Sequence, residues 1–177
     1  MKIIAFAATT STQSINKMLV TYVANLVPNA EVEILDLNDY QLPLFSEDVE
    51  KEVGQPQAAT DFLAKLANGD ALIVSFAEHN GLYSAAYKNL FDWCSRQAGR
   101  NIYHGKPMLL LATSTGARGG QSVLELATSA SPRFGGDVRA SVSVPLFDES
   151  FDRTNLSIIN NEINAELKLA IEALISD

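Results

Sequence analysis

Six consecutive polar residues follow the first apolar segment of the chain. Residues 9–14, here called loop one, read Thr-Thr-Ser-Thr-Gln-Ser, and five of the six carry a hydroxyl group. Ile15 and Asn16 come next, where a predicted helix begins. Free N–H groups at a helix start, together with the helix dipole, favour a bound anion. Because ordinary N-capping needs only one hydroxyl, the surplus favours a phosphate-binding loop over a simple cap.

A glycine-rich segment follows the most apolar of the predicted strands. Residues 114–120, here called loop three, read Ser-Thr-Gly-Ala-Arg-Gly-Gly, so three of the chain's ten glycines fall within five residues. Glycine would let the backbone approach a flat ligand and present N–H groups to it. A turn that merely leads into the next helix explains these residues equally well, and both interpretations stay open. The candidate ligand-binding positions are Ser114, Thr115, Gly116, Arg118, Gly119 and Gly120.

A third polar segment, residues 77–83, lies between the other two along the chain and is therefore called loop two. It reads Ala-Glu-His-Asn-Gly-Leu-Tyr. It follows a second strand that is predicted to be fully buried, residues 71–76, and its candidate ligand-binding positions are Glu78, His79, Asn80 and Gly81. Cys94 lies on the helix after this loop. A lone cysteine is more often a small buried apolar residue than a reactive thiol, so we assign it no catalytic role.

The apolar periodicity predicts five strands that alternate with helices. The strands are predicted at residues 2–8, 31–37, 71–76, 108–113 and 138–144. The last helix is predicted from a core stripe of Leu156, Ile159, Ile163, Leu167, Ala170 and Leu174. Right-handed crossovers then give an α/β domain with a doubly wound parallel sheet and helices on both faces. Ligands bind such sheets outside the carboxyl ends of the strands, which brings the three loops into one predicted site.

Composition excludes several other kinds of protein. The 177 residues are 47% apolar and carry a formal charge of −8, which fits a single packed domain over residues 1–177 and disfavours nucleic acid as a partner. No apolar run approaches the roughly 18 residues of a membrane span. One cysteine and two histidines cannot form a disulfide or a His/Cys metal site. We therefore expect a cytoplasmic protein with no metal and no membrane segment.

Loop two and the following helix resemble the NADPH-dependent FMN reductase family, which includes quinone, chromate and azo-dye reductases. Glu78 and Asn80, followed by Lys88-Asn89 and Asp92-Trp93, are similar to the family's Pro-Glu-Tyr-Asn…Leu-Lys-Asn…Asp-Trp segment. Further similarity at residues 42–48 and 105–107 extends the resemblance along nearly the whole chain. It implies a flavodoxin-like sheet of five parallel strands in the order 2-1-3-4-5.

Loop one is similar to the family's phosphate loop, Gly-Ser-x-Arg-x-x-Ser-x-Asn. Its candidate cofactor-binding positions are Thr9, Ser11, Ser14, Ile15 and Asn16. Ser14 and Asn16 match the motif, whereas Ser11 replaces its arginine. Loss of that charge-assisted hydrogen bond should weaken FMN binding by about tenfold to a hundredfold, unless Arg118 or another cation compensates.

The resemblance implies an FMN-dependent NAD(P)H oxidoreductase. It would pass hydride from NADPH or NADH through bound FMN to a quinone, a flavin or a similar small acceptor. Because the cofactor carries the reaction, no catalytic side chain is assigned. A flavodoxin-type electron carrier and a degenerate relative that serves as a binding module stay open as alternatives.

The resemblance also implies a homodimer or homotetramer. The candidate interface is the apolar segment 42–45 together with the helix that bears Trp93. The same apolar residues could instead cap the core of a single subunit, and we weigh the two equally.

Overall fold

The computed structural model describes residues 1–176 and contains a central parallel sheet. Its strands are β1 (Lys2–Ala7), β2 (Glu31–Leu35), β3 (Ala71–Phe76), β6 (Pro107–Thr113) and β7 (Asp137–Val144). Two short antiparallel hairpins lie outside it, β4 (Glu78–His79) with β5 (Leu82–Tyr83), and β8 (Phe151–Asp152) with β9 (Ser157–Ile158). The sheet order is β2-β1-β3-β6-β7. Since β6 and β7 are the fourth and fifth predicted strands, the predicted order 2-1-3-4-5 and the flavodoxin-like α/β fold are confirmed.

Helices cover both faces of this sheet. They are α1 (Ile15–Asn25), α2 (Glu47–Val53), α3 (Gln57–Ala67), α4 (Ala85–Ala98), α5 (Gln121–Ala130), α6 (Phe147–Ser150) and α7 (Asn161–Ile175). One buried cluster joins α1 and α7 to the sheet, and another joins α3, α4 and α5 to its opposite face. This two-sided cover explains why the central strands are continuous apolar runs rather than alternating ones.

The alternation of side chains along β1 shows how the two faces divide the core. Ile4 and Phe6 pack toward α3 and α4, whereas Ile3 and Ala5 pack toward α1 and α7. All four side chains are fully buried. Burial of both faces holds the carboxyl end of β1, and therefore loop one, in a fixed position.

The predicted start of the last helix is wrong. Leu156 and Ile159, expected in its core stripe, are 57% and 56% exposed and precede α7. The helix begins only after Asn160, whose side chain accepts hydrogen bonds from the N–H groups of Glu162 and Ile163. The chain that precedes Asn160 forms the β8–β9 hairpin. The apolar spacing extends back into this hairpin, but the helix begins only after the N-cap.

The described residues provide neither a membrane-spanning helix nor a metal cluster. Across residues 1–176, every helix is too short or too polar to cross a membrane. No three His, Cys, Asp or Glu side chains of that region lie together as metal ligands would. Cys94 is fully buried, and burial raises the pKa of its thiol to about 12, so it stays protonated at neutral pH.

Candidate functional site

The three loops meet in a cleft of about 260 Å³ beyond the carboxyl ends of β1, β3 and β6. Its wall consists of Thr9, Ser11, Gln13, Ser14, Ile15, Asn16, Ala77, Glu78, His79, Thr113 and Ser114. The structure therefore brings together every predicted position of loop one, the first two of loop two and the first of loop three. Gln13, Ala77 and Thr113 were not among the predicted positions, although each adjoins a residue that was.

Seven predicted positions lie outside this wall, and most belong to loop three. They are Asn80, Gly81, Thr115, Gly116, Arg118, Gly119 and Gly120. A ligand larger than the cleft could still reach the exposed residues among them. The predicted site residues therefore divide into eight that line the cleft and seven that do not, of which Gly119 and Gly120 are buried.

Loop one leaves several hydrogen-bond donors free at the start of α1. Ser14 caps the helix by accepting a hydrogen bond from the N–H of Lys17 at 3.2 Å. The first two N–H groups of α1, those of Ile15 and Asn16, cannot bond within the helix and find no acceptor among residues 1–176. The exposed hydroxyl of Ser11 likewise has no partner in that range. Such free donors at a helix start suit an anion.

Asn16 anchors the first turn of α1 to two strands. Its side-chain oxygen accepts hydrogen bonds from the Ser75 hydroxyl at 2.8 Å and the Thr113 N–H at 3.1 Å. Its side-chain nitrogen donates to the Thr113 carbonyl at 3.3 Å. The residue is only 3% exposed. The side chain is therefore bonded to the framework, even though Asn16 contributes to the wall of the cleft.

Loop two is a β-hairpin rather than an irregular loop. Glu78 pairs with Tyr83 and His79 pairs with Leu82 in antiparallel register. The turn residues Asn80 and Gly81 have φ angles of 53° and 80°, as a two-residue type I′ turn requires. The Asn-Gly dipeptide is the sequence signal that could have predicted this hairpin. The hairpin presents Glu78 and the exposed His79 at the cleft.

Glu78 connects loop two to the beginning of α5. Its carboxylate accepts a hydrogen bond from the N–H of Val123 at 3.0 Å. Gly120, the N-cap residue of α5, has no side chain that could do this. Glu78 thus caps a helix that lacks its own cap, and the capping interaction holds the hairpin in place.

A second contact joins loop one to α4. The Ser84 hydroxyl donates to the carbonyl of Ala8 at 2.7 Å, and it accepts from the N–H of Tyr87 at 3.2 Å. Ser84 is therefore both the N-cap of α4 and a connection to the residue that precedes loop one. The hydroxyl fixes where α4 begins relative to the cleft.

The glycines at the end of loop three have a packing explanation. Gly119 has a φ of 58°, and a Cβ there would lie 2.3 Å from the Ser143 hydroxyl and 2.8 Å from the Pro145 nitrogen. Gly120 has a φ of 77°, with the Ala112 Cβ only 3.0 Å from its own would-be Cβ. Both are needed for the close approach of loop three to β6 and β7. This favours the structural interpretation of these two positions.

The wall of the cleft offers donors but no cation. Glu78 is the only formally charged residue among the described residues that line it. Arg118 donates to the Ser122 hydroxyl on the first turn of α5. Lys17 pairs with Asp36, and this hydrogen bond, followed by one from the Asn38 N–H, lowers the pKa of the Asp36 carboxyl. An anion in the cleft would therefore rely on N–H and hydroxyl groups.

Comparison with known proteins identifies several relatives. The chain is 32% identical over 120 residues to a 2-hydroxy-1,4-benzoquinone reductase of Burkholderia sp, which covers 67% of this chain and 63% of that enzyme. It is 33% identical over 109 residues to a quinone reductase of Pseudomonas putida, with 61% and 57% covered. Among solved structures, the flavoenzyme NAD(P)H:(acceptor) oxidoreductase FerB of Paracoccus denitrificans has a TM-score of 0.78 at 20% identity, with 98% of this chain and 94% of FerB covered.

The matches to the two curated quinone reductases thus span about three-fifths of their lengths. The likeness to FerB supports the fold. A family model extends further along the chain, because it matches residues 1–144 and so includes loops one, two and three. The family that the sequence resembles is thereby confirmed: the chain belongs to the NADPH-dependent FMN reductase family.

Proposed function

We propose that the protein is an FMN-dependent NAD(P)H oxidoreductase. It would pass hydride from NADPH or NADH through bound FMN to a quinone, a flavin or a similar small acceptor. The observation that carries this proposal is the meeting of three loops around free N–H donors at the start of α1. Membership of the FMN reductase family and the names of the two quinone reductases support it.

The residues present fit the phosphate of FMN. The N–H groups of Ile15 and Asn16, with the hydroxyls of Ser11 and Ser14, supply donors at a helix start. Thr9 is nearly buried, and its hydroxyl accepts the Ser11 N–H at 3.2 Å, which keeps loop one folded toward the cleft. We propose that these groups hold the ribityl phosphate.

Loops two and three would hold the rest of the flavin. We propose that Glu78, His79, Asn80 and Gly81 lie along the ribityl chain and one edge of the ring. In loop three, the proposed contacts at the pyrimidine end come from Ser114, Thr115, Gly116 and Arg118, and the buried Gly119 and Gly120 let the backbone of the loop take this position. The exposed members of this set, such as Thr115 and Gly116, are free to contact a ligand by side chain or backbone.

Bound FMN and the protein would have different roles in the reaction. Bound FMN supplies the hydride and electron chemistry that no amino-acid side chain offers. The hairpin and α5 are held together by Glu78, so the cleft keeps its shape before a ligand enters. The protein therefore contributes binding and orientation, which is consistent with the absence of an assigned nucleophile or base.

An activity measurement with a matched pair of variants tests this proposal. Purified protein supplied with FMN should oxidise NADPH or NADH when menadione is present as acceptor. Ser14→Asp keeps a side chain that can cap α1 but adds a negative charge where the phosphate would lie, so it should abolish this activity. Ser46→Asp alters the equivalent cap of α2, which is not part of the wall of the cleft, and should leave the activity unchanged.

Failure to take up FMN and to oxidise NAD(P)H would contradict the proposal and indicate a binding module without enzymatic activity. FMN uptake without NAD(P)H oxidation would instead indicate an electron carrier.

We also propose a homodimer or homotetramer in which the segment 42–45 contributes to the interface. Leu44 is 81% exposed, although it is a large apolar residue. Phe45 packs against Trp93 of the same subunit, with ring centroids 5.1 Å apart, and Trp93 donates to the Pro43 carbonyl at 2.8 Å. The segment is therefore held rigidly with Leu44 outward. Leu44→Ala should delay elution on a sizing column, whereas an unchanged elution volume would count against this interface.

We further propose that the chain forms a single domain and acts in the cytoplasm. The two buried clusters share one sheet, which supports one domain. The single cysteine among the 177 residues supports a reducing compartment.

A further inference from the structure

We propose that Asn16 is a positioning residue whose side chain sets the place of loop one relative to β3 and β6 and does not itself bind the phosphate. The inference deepens the proposed function, and the ligand part of its test rests on that function. The family motif places Asn16 in the phosphate loop, but its side-chain hydrogen bonds go to Ser75 of β3 and Thr113 of β6.

The Asn16 side chain has its acceptor capacity filled by the protein. A carbonyl oxygen has two lone pairs, and the Ser75 hydroxyl and the Thr113 N–H occupy both, at 2.8 Å and 3.1 Å. The Nδ2 group donates to the Thr113 carbonyl at 3.3 Å. A carboxamide side chain can accept these two hydrogen bonds and also donate the third. The carboxylate of an aspartate at this position could accept but not donate.

The two partners lie where the other two loops begin. Ser75 is fully buried near the end of β3, just before loop two. Thr113 is 2% exposed and is the last residue of β6, directly before loop three. Its hydroxyl continues the network by donating to the Val144 carbonyl of β7 at 2.6 Å. One side chain thus fixes the origins of all three loops relative to one another.

The backbone of Asn16 has the opposite role. Its N–H finds no acceptor among residues 1–176 and is one of the proposed phosphate donors. A shift of the side chain would move this donor, together with the neighbouring N–H of Ile15. Loss of the side-chain network should therefore weaken phosphate binding without removing any group that touches the phosphate.

Ser75→Ala distinguishes positioning from direct binding. Ser75 donates to Asn16 but is absent from the wall of the cleft. If Asn16 positions loop one, Ser75→Ala should raise the dissociation constant for FMN by about threefold to tenfold, the worth of one buried hydrogen bond. Riboflavin, which lacks the phosphate, should lose less affinity. An unchanged FMN affinity in Ser75→Ala, with weaker binding in Asn16→Ala, would show that Asn16 is a direct ligand and overturn the inference.

Ser131→Ala provides the matched control. Ser131 is also a buried serine, 2% exposed, and its hydroxyl donates to the Ala127 carbonyl at 2.8 Å. It lies at the other end of the sheet, close to the start of β7. This variant should lose a comparable hydrogen bond while its FMN affinity stays within about twofold of the wild type. An equal loss of FMN affinity in both variants would point to general destabilisation instead.

Hydrogen exchange tests the inference without any flavin. In flavin-free protein, Ser75→Ala should accelerate exchange of the hydrogen-bonded amides in the segments 14–17 and 113–116, namely those of Lys17 and Thr113, and Ser131→Ala should not. Unchanged exchange in those segments would overturn the positioning role. Lack of FMN binding by the wild type would contradict the proposed function alone, because the exchange result would still decide the role of Asn16.

Discussion

Loop one and loop three both follow a buried strand at the same edge of the sheet, yet they use their polar groups differently. In loop one, the Ser11 hydroxyl and the N–H groups of Ile15 and Asn16 have no partner among residues 1–176. In loop three, the Gly116 carbonyl accepts the N–H groups of Gly119 and Leu146 at 3.2 Å and 3.1 Å. Loop one and the start of α1 thus leave donors free for a ligand, while most carbonyl groups of loop three are bonded to the protein. Residue type alone did not distinguish these cases.

The largest expected effect tests the packing of loop three. Gly119→Ala would place a Cβ 2.3 Å from the Ser143 hydroxyl and 2.8 Å from the Pro145 nitrogen at a φ of 58°. Strain and overpacking should together lower the free energy of unfolding by about 2–5 kcal/mol. Denaturant unfolding measures this change. Gly116→Ala is the matched control in the same loop, because its Cβ would have only the Ser114 hydroxyl nearby, at 3.9 Å.

The control also divides loop three into two parts. Gly116→Ala should leave the free energy of unfolding within about 1 kcal/mol of the wild type. If Gly116 lies against the flavin, this variant should still weaken FMN binding. Equal destabilisation by both substitutions would contradict the packing explanation for Gly119.

The next effect tests loop one by restoring the missing cation. Ser11→Arg puts an arginine at the position that carries one in the family motif, beside free N–H groups and with no other cation in the described wall of the cleft. FMN should bind about tenfold to a hundredfold more tightly, since a hydrogen bond to a charged group contributes about 1.5–3 kcal/mol. Titration with FMN and with riboflavin measures this gain. Ser11→Ala serves as the control and should not tighten binding.

A gain for riboflavin equal to that for FMN would show that the arginine acts elsewhere than on the phosphate. No gain for either would argue against loop one as the phosphate site.

The smallest expected effect concerns the hydrogen bonds of Asp36, which support loop one through Asn38. Asp36 accepts hydrogen bonds from Lys17 and Asn38, and Asn38 also donates to the Thr10 carbonyl of loop one at 3.1 Å. These bonds lower the pKa of the Asp36 carboxyl in the folded protein. Its contribution to stability is therefore present above the unfolded pKa of about 3.9 and is lost as the pH falls through the lower folded value.

Asp36→Asn removes this titrating group. The variant should be slightly less stable than the wild type at pH 7, and the difference should disappear toward pH 2. Urea unfolding at both pH values measures it. A difference that grows on acidification would have the wrong sign for a carboxyl with a lowered pKa.

The sheet and its loops could be predicted because they depend on local pattern. Continuous apolar strands and helical periodicity gave the order of elements, and the similarity at Glu78 and Asn80 led to the family. The bonds of Asn16 to Ser75 and Thr113 could not be predicted, since they join residues 59 and 97 positions apart. The same holds for Gly119, whose need for glycine depends on β7.

Two local signals were present but competed with stronger ones. The Asn-Gly pair at residues 80 and 81 marks the hairpin turn, whereas the family resemblance implies ligand contacts there. Asn160 marks the start of α7, yet apolar spacing continued through Leu156 and Ile159. In both places the turn or cap chemistry decided the backbone.

The most direct test of the central claim, that loop one binds the phosphate of FMN, is calorimetric titration with FMN and with riboflavin. The wild type should bind FMN more tightly than riboflavin, with inorganic phosphate competing against FMN. Ser14→Asp should remove the preference for FMN, and Ser46→Asp should retain it. Equal affinities of the wild type for FMN and riboflavin, or no binding of FMN at all, would contradict the claim.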